Sequence, residues 1–138
     1  MTRADAVIDA SVLGAALFTE KASAQARRFL AQDRRLIAPD LLHAEMASLA
    51  AKKIWRGEAS ETVGQAALRA LSDFVEDFAP CRPLAARALT LAAGREVSAY
   101  DGVYLALSER TGLPLITLDE KLLRKAGAAG FQGVVRLP

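Results

Sequence analysis

Four carboxylates stand where an acid is costly unless it has a task. Asp9 closes the apolar run Ala6-Val7-Ile8, and Glu45 lies inside the amphipathic stretch 39–53. Asp101 opens the apolar segment 100–110, and Asp119 follows the strand-like Leu113–Leu118. Two of these acids end buried-looking strands, and two lie on helices that must pack nearby. Gathered in one place they repel. At about 4 Å a like-charged pair costs on the order of 4 kcal/mol at an effective dielectric of 20. A cluster of that kind calls for a cation, and oxygen ligands without paired His or Cys point to magnesium or manganese. The chemistry expected from such ions among four carboxylates is hydrolysis of a phosphodiester.

The elements that must position these acids alternate along the chain. Residues 5–9 read as a buried strand, followed by a helical region to about Gln32. Residues 34–39 form a second strand closed by Pro39, with Asp40 a candidate helix N-cap. The next helix carries Leu42, Met46 and Leu49 on one face and ends or bends at Gly57. Residues 58–77 are helical, 78–84 a break with room for a short strand, and 84–94 and 99–111 helical, the last ended by Gly112. A strand at 114–118, a helix at 119–129 and a strand at 133–137 complete the chain. Strands separated by helices imply right-handed crossovers. The expected fold is therefore α/β: a three-layer α/β/α sandwich around a central, mainly parallel sheet of four or five strands, in one domain spanning 1–138.

In an open parallel sheet, ligands bind beyond the carboxyl ends of the strands. Asp9 and Asp119 occupy two such exits. Asp101 begins the helix that leads into the Asp119 strand, and Glu45 sits about one turn into the helix after the second strand. Each acid has a plainer reading on its own. Asp9 and Asp119 are good N-caps, Asp101 is favourable first-turn charge, and Glu45 is an ordinary helix residue. Those readings leave the convergence of all four on one rim unexplained.

The bulk composition sets bounds. Hydrophobic residues make up 52% and charged residues 25% of 138, as in an ordinary globular domain. Cys81 is the sole cysteine, which excludes a disulfide framework and a cysteine-based zinc site. It fits a reducing, cytoplasmic setting. There is no signal-like h-region, and no apolar run approaches the roughly 20 residues that span a bilayer. Net charge is +2; with the four acids neutralised by metal, 18 basic residues face 12 acidic ones, and the balance becomes +6. A metal-loaded protein would attract a polyanion despite its modest formal charge.

The segments Val7–Val12, Pro39–Glu45 and Ser98–Leu122 together resemble a PIN domain, and in size and layout the VapC-type toxins of bacterial toxin–antitoxin pairs. The last segment is the most specific, joining an acid-opened helix, a Gly-Leu-Pro turn, a strand and a Thr-Leu-Asp exit. The resemblance implies a magnesium- or manganese-dependent endoribonuclease that hydrolyses RNA phosphodiesters as a toxin. Its catalytic and metal-binding acids would be Asp9, Glu45, Asp101 and Asp119, with Thr117 and Ser11 in support. Its partners would be RNA, a small VapB-like antitoxin and a second copy of the chain, with no membrane. The rival reading is a non-cleaving RNA- or antitoxin-binding module with a vestigial site. Two residues depart from the common pattern: Ser48 stands where Asn is frequent, and Gly102 where Ala is frequent. The latter should cost about 1 kcal/mol of helix propensity.

Other candidates carry less. Lys52 and Arg56 flank Trp55, a combination suited to single-stranded RNA. Its plainer reading is a core-edge Trp with snorkelling lysines. His43 is the only histidine, so a two-histidine acid–base ribonuclease is excluded. Cys81 reads as a small buried apolar residue. Ser11 stands where a haloacid-dehalogenase-type phosphatase needs its second Asp. The Ala/Leu-rich helices of 63–93 offer a dimer seam or ordinary core.

Overall fold

The computed structural model describes residues 4–94 and 96–138. Its centre is β1 (Ala4–Ile8), flanked by β2 (Arg35–Pro39) and β4 (Leu115–Thr117). Beyond β2 lies β3 (Asp77–Ala79), and beyond β4 lies β5 (Val134–Arg136). All four pairings are parallel and the order is β3-β2-β1-β4-β5. Every strand therefore exits on the same edge. The chain winds outward from β1 through β2 to β3, then returns to β4 on the other side of β1. The direction of winding reverses between β1 and β4, and a crevice opens at such a switch point.

Among the described residues seven helices cover the sheet: α1 (Ala10–Leu17), α2 (Ser23–Leu30), α3 (Leu41–Trp55), α4 (Glu61–Phe74), α5 (Ala85–Ala93), α6 (Ala99–Thr111) and α7 (Glu120–Ala128). Strand alternation sorts them into two layers. Ala6, Ile8, Leu36, Ala38 and Ile116 face a core shared with Leu13, Phe29, Met46 and Leu71 of α1–α4. Val7, Ile37 and Leu115 face the opposite core, shared with Ala88, Leu105 and Leu122 of α5–α7. The three-layer α/β/α arrangement follows from that alternation.

Several local expectations change. The helical region after β1 is broken into α1 and α2. Ser23, buried at the start of α2, bonds the Ala15 carbonyl at 2.6 Å and accepts the Glu20 N–H at 2.8 Å, which fixes the turn. The segment after α4 supplies β3 and then a 3-10 turn at Arg82–Leu84. Asp40 sits at the N-cap position of α3, but its side chain makes no cap bond. It accepts instead from the Cys81 N–H at 3.2 Å, tying the β2 exit to the loop after β3. Cys81 itself is only partly buried.

Gly102 is explained by packing. A Cβ at this position would stand 3.0 Å from the Ala88 carbonyl oxygen and 3.1 Å from its Cα. The glycine lets α6 press directly on the α5 backbone, which offsets its poor helix propensity.

Candidate active site

The site begins at the β1 exit. Asp9 leaves the strand in extended conformation (φ −111°, ψ 176°) and caps α1. Its Oδ1 accepts from the Ser11 N–H at 3.1 Å, the Val12 N–H at 3.4 Å and the Ser11 hydroxyl at 2.6 Å. Its Oδ2 accepts from the Thr117 hydroxyl at 2.5 Å. Both hydroxyls thus spend their single proton on Asp9, and their oxygens remain free to accept. Ser11 Oγ takes the Leu118 N–H at 2.9 Å, and Thr117 Oγ1 takes the Asp119 N–H at 2.9 Å. One network locks the exits of β1 and β4 together at the switch point. Thr117 is fully buried within it.

Asp119 caps α7, accepting from the Lys121 and Leu122 N–H groups at 3.0 and 3.2 Å. The capping reading of Asp9 and Asp119 is therefore correct as far as it goes. It does not exhaust their roles, because each carboxylate also feels the other acids. Burial pushes the Asp9 carboxyl up to about 6, against the lowering effect of its Ser11, Thr117 and Val12 hydrogen bonds. The nearby Asp119 charge pushes in the same direction as burial.

Glu45 and Asp101 complete the rim from two helices. Burial raises the Glu45 carboxyl above its ordinary range, and the charges of Asp9 and Asp101 add to the effect. Burial likewise raises Asp101, with Asp119 raising it further and Lys125 of α7 lowering it. Asp101 sits in the first turn of α6, whose N-cap Ser98 accepts the Asp101 N–H at 3.0 Å. All four acids are thus coupled by charge, although they come from four separate segments.

Sequence reasoning missed Tyr104, one turn beyond Asp101 on α6. The residue is 2% exposed. Its hydroxyl and Glu45 Oε1 are both buried without a hydrogen-bond partner. The two groups lie close enough for the phenol to hold down the Glu45 carboxyl. Burial and the Glu45 charge in turn push the phenol well above its ordinary value. They stand outside good hydrogen-bonding geometry all the same, so the phenol compensates the buried Glu45 Oε1 only in part. That is a costly arrangement. The signal available in the sequence was a hydroxyl inside an otherwise apolar buried helix, three residues from an acid.

A groove of about 890 Å³ opens over the rim. Ser11, Glu45 and Asp119 line one part of it. Ser48, Lys52 and Arg56 continue the Glu45 face of α3 at three- to four-residue spacing, and Tyr100 of α6 contributes to the lining as well. Lys53 also lines the groove, but its ammonium is held by Glu20 at 3.2 Å and lies over the Phe18 ring. Trp55 is 79% exposed and is not among the lining side chains, so it is neither a core-edge residue nor part of the groove wall. His43 is exposed and its ring meets that of Phe78 at a tilt, with centroids 4.4 Å apart.

Among the described residues, no group of three or more His, Cys, Asp or Glu side chains is disposed to hold a metal ion as it stands. The donor set nevertheless suits a hard divalent cation. It is all oxygen, its members raise one another's proton affinity, and Glu45 Oε1 is buried without a donor.

The PIN domain family model matches residues 6–128. The chain belongs to the PIN-domain family. The match runs from β1 to the end of α7, so it contains all four acids and the network at the switch point. Two curated relatives of this PIN domain are of the VapC type. Ribonuclease VapC3 of Pyrobaculum aerophilum is 34% identical over 124 residues, 86% of this chain and 92% of that protein. Ribonuclease VapC1 of Mycobacterium tuberculosis is 32% identical over 133 residues, 96% of this chain and 97% of that protein. Solved structures agree in fold. The Pyrobaculum aerophilum protein PAE2754 superposes with a TM-score of 0.73 at 22% identity, covering 97% of this chain and 84% of that one. The Mycobacterium tuberculosis VapC20 toxin, which cleaves the sarcin–ricin loop, does so with 0.68 at 19% identity, covering 94% and 98%. No helix among the described residues is long and apolar enough to cross a membrane.

Proposed function

We propose that this PIN domain is a divalent-metal-dependent endoribonuclease that hydrolyses RNA phosphodiester bonds, acting as the toxin of a toxin–antitoxin pair. The observation that carries this reading is the coupling of Asp9, Glu45, Asp101 and Asp119 at one rim, with burial raising three of them and Glu45 Oε1 left without a donor. Ribonuclease names among relatives above 30% identity support it. A vestigial, non-cleaving module would have no need to keep carboxylates under that strain.

Asp9 and Asp101 would hold magnesium or manganese directly, with Glu45 and Asp119 binding it directly or through water. When bound, such an ion lowers the pKa of a water and neutralises charge at the reacting phosphate. Ser11 and Thr117 fix the Asp9 carboxylate by donating to one oxygen each, and so hold its orientation beneath the groove floor that Ser11 lines. A free carboxylate of the set accepts the proton from the attacking water. Lys52 and Arg56 meet the RNA backbone on the same helix face as Glu45.

The partners inferred with this activity are a VapB-like antitoxin and a second copy of the chain. Leu89 and Val63, exposed on α5 and α4, give apolar surface for the latter. The deciding experiment is cleavage of RNA by purified protein with magnesium or manganese, stopped by EDTA. Asp101→Ala should lower the rate by on the order of 100-fold or more while melting remains cooperative. Parental cleavage by Asp101→Ala under the same purification would mean the site is misassigned.

A further inference from the structure

One ring in the groove has no part in that reading. Tyr100 stands in the first turn of α6, one residue before Asp101, and is 65% exposed. Among the described residues the large exposed apolar side chains are Trp55, Val63, Leu89, Tyr100 and Val135, and of these Tyr100 alone lines the groove. Scattered surface apolars need no explanation. A ring left unburied inside a groove, beside an acid of the reacting centre, has a specific use. It offers a flat face to whatever enters. The same groove carries Lys52 and Arg56, which make no ion pair among the described residues. Cations for the backbone and an aromatic face for a base are the two components of a single-strand binding surface.

We infer that Tyr100 stacks on an unpaired base beside the scissile phosphate while the backbone of the same strand follows Lys52 and Arg56. This rests on the ribonuclease reading and deepens it by naming the side chain that holds an unpaired base in the groove. A continuous duplex keeps its bases stacked on one another and has no free face for the ring. Trp55, the aromatic that the sequence singles out, stands off the groove. The stacking role therefore passes to α6, where it is coupled by one peptide unit to Asp101.

The test uses short 5′-fluorescein-labelled RNA of mixed sequence. Its scissile bond is first mapped with the parent protein, and binding is then measured in EDTA so that no cleavage intervenes. Tyr100→Ala should weaken binding of the single strand by about 5- to 150-fold, the range for loss of one base–aromatic stack. Tyr100→Phe keeps the ring and should bind as the parent does. An RNA made abasic next to the scissile phosphate should bind the parent and Tyr100→Ala equally, because ring and base are lost as one interaction. Equal binding of the intact strand by parent and Tyr100→Ala overturns the inference. So does a Tyr100→Ala defect that persists undiminished on the abasic strand. A parent that cleaves RNA yet shows either result loses only Tyr100's role. A parent that neither binds nor cleaves any RNA loses the ribonuclease reading with it.

Discussion

On the outer surface, Arg87 grips Glu109 through two nitrogens at 2.9 and 3.1 Å, and Arg136 grips Glu120 at 2.9 and 2.7 Å. Arg35 meets Glu76 at 3.1 Å. At the sheet rim the charges are arranged in the opposite way. Asp9, Glu45 and Asp101 are wholly or half buried and each is raised by desolvation; Asp119 adds its charge at Asp9 and Asp101, and Asp9 and Asp101 add theirs at Glu45. The paired surface charges sit in water, where neither partner would suffer much from losing the other. At the rim Asp9 sits where water is excluded and Glu45 and Asp101 are half buried, and hydrogen bonds from Ser11 and Thr117 only partly compensate Asp9. The fold is therefore neutral toward its surface pairs and under strain at its rim. A cation would relieve the rim and change the surface little.

The largest expected effect is on the pH dependence of stability. In the folded chain Asp9 holds its proton up to about pH 6, and its ordinary value is 3.8. Between those values the folded state binds more protons than the unfolded one. Stability is thus fully present below the lower value and falls as pH rises through the upper one. For a shift of this size the loss is on the order of 3 kcal/mol. Denaturant melts of metal-free protein at pH 3 and pH 7 should show most of it, and Asp9→Asn should flatten the difference. A parent equally stable at both values would remove the strain from the argument.

Metal should restore what neutral pH takes away. With magnesium or manganese at about a hundred times its dissociation constant, stability should rise by about 2.7 kcal/mol, and Asp9→Asn should gain much less. Thermal melts with and without the ion decide this. No shift in either protein would count against the cluster.

A smaller effect tests the frame that carries Asp101. Gly102→Ala gains about 1 kcal/mol of helix propensity, but the new methyl must push on the Ala88 backbone, a strain of about 1–3 kcal/mol. The net outcome should be destabilisation of about 1 kcal/mol. A more stable variant would show that α5 yields easily. The smallest effect belongs to the surface: Arg87→Ala should leave the melting temperature unchanged within error. A clear drop there would erase the contrast between the two regions.

Much of the architecture was legible in the chain. Apolar runs of strand length separated by amphipathic helices fix the alternation of elements, and alternation of elements implies a parallel sheet with both faces covered. The acids stood out because each interrupts or ends an apolar segment. Boundaries were less legible. The turn between α1 and α2 depends on Ser23 reaching the Ala15 carbonyl, and the strand at Asp77–Ala79 on pairing with β2. Neither is a property of the local sequence.

The chain's own chemistry thus determined which side chains are acidic, which helices they open and which strands they end. Spacing along one helix also determined that Glu45, Ser48, Lys52 and Arg56 share a face. Tertiary structure decided the rest. The adjacency of β1 and β4 brings Thr117 onto Asp9 across 108 positions of sequence. The press of α6 on α5 makes Gly102 useful, and the meeting of the two helix layers over the strand exits brings the buried Tyr104 close to Glu45. Tyr100 rather than Trp55 faces the groove for the same reason: a sequence records that a ring is present, but only the packed helices determine which side of it is left to solvent.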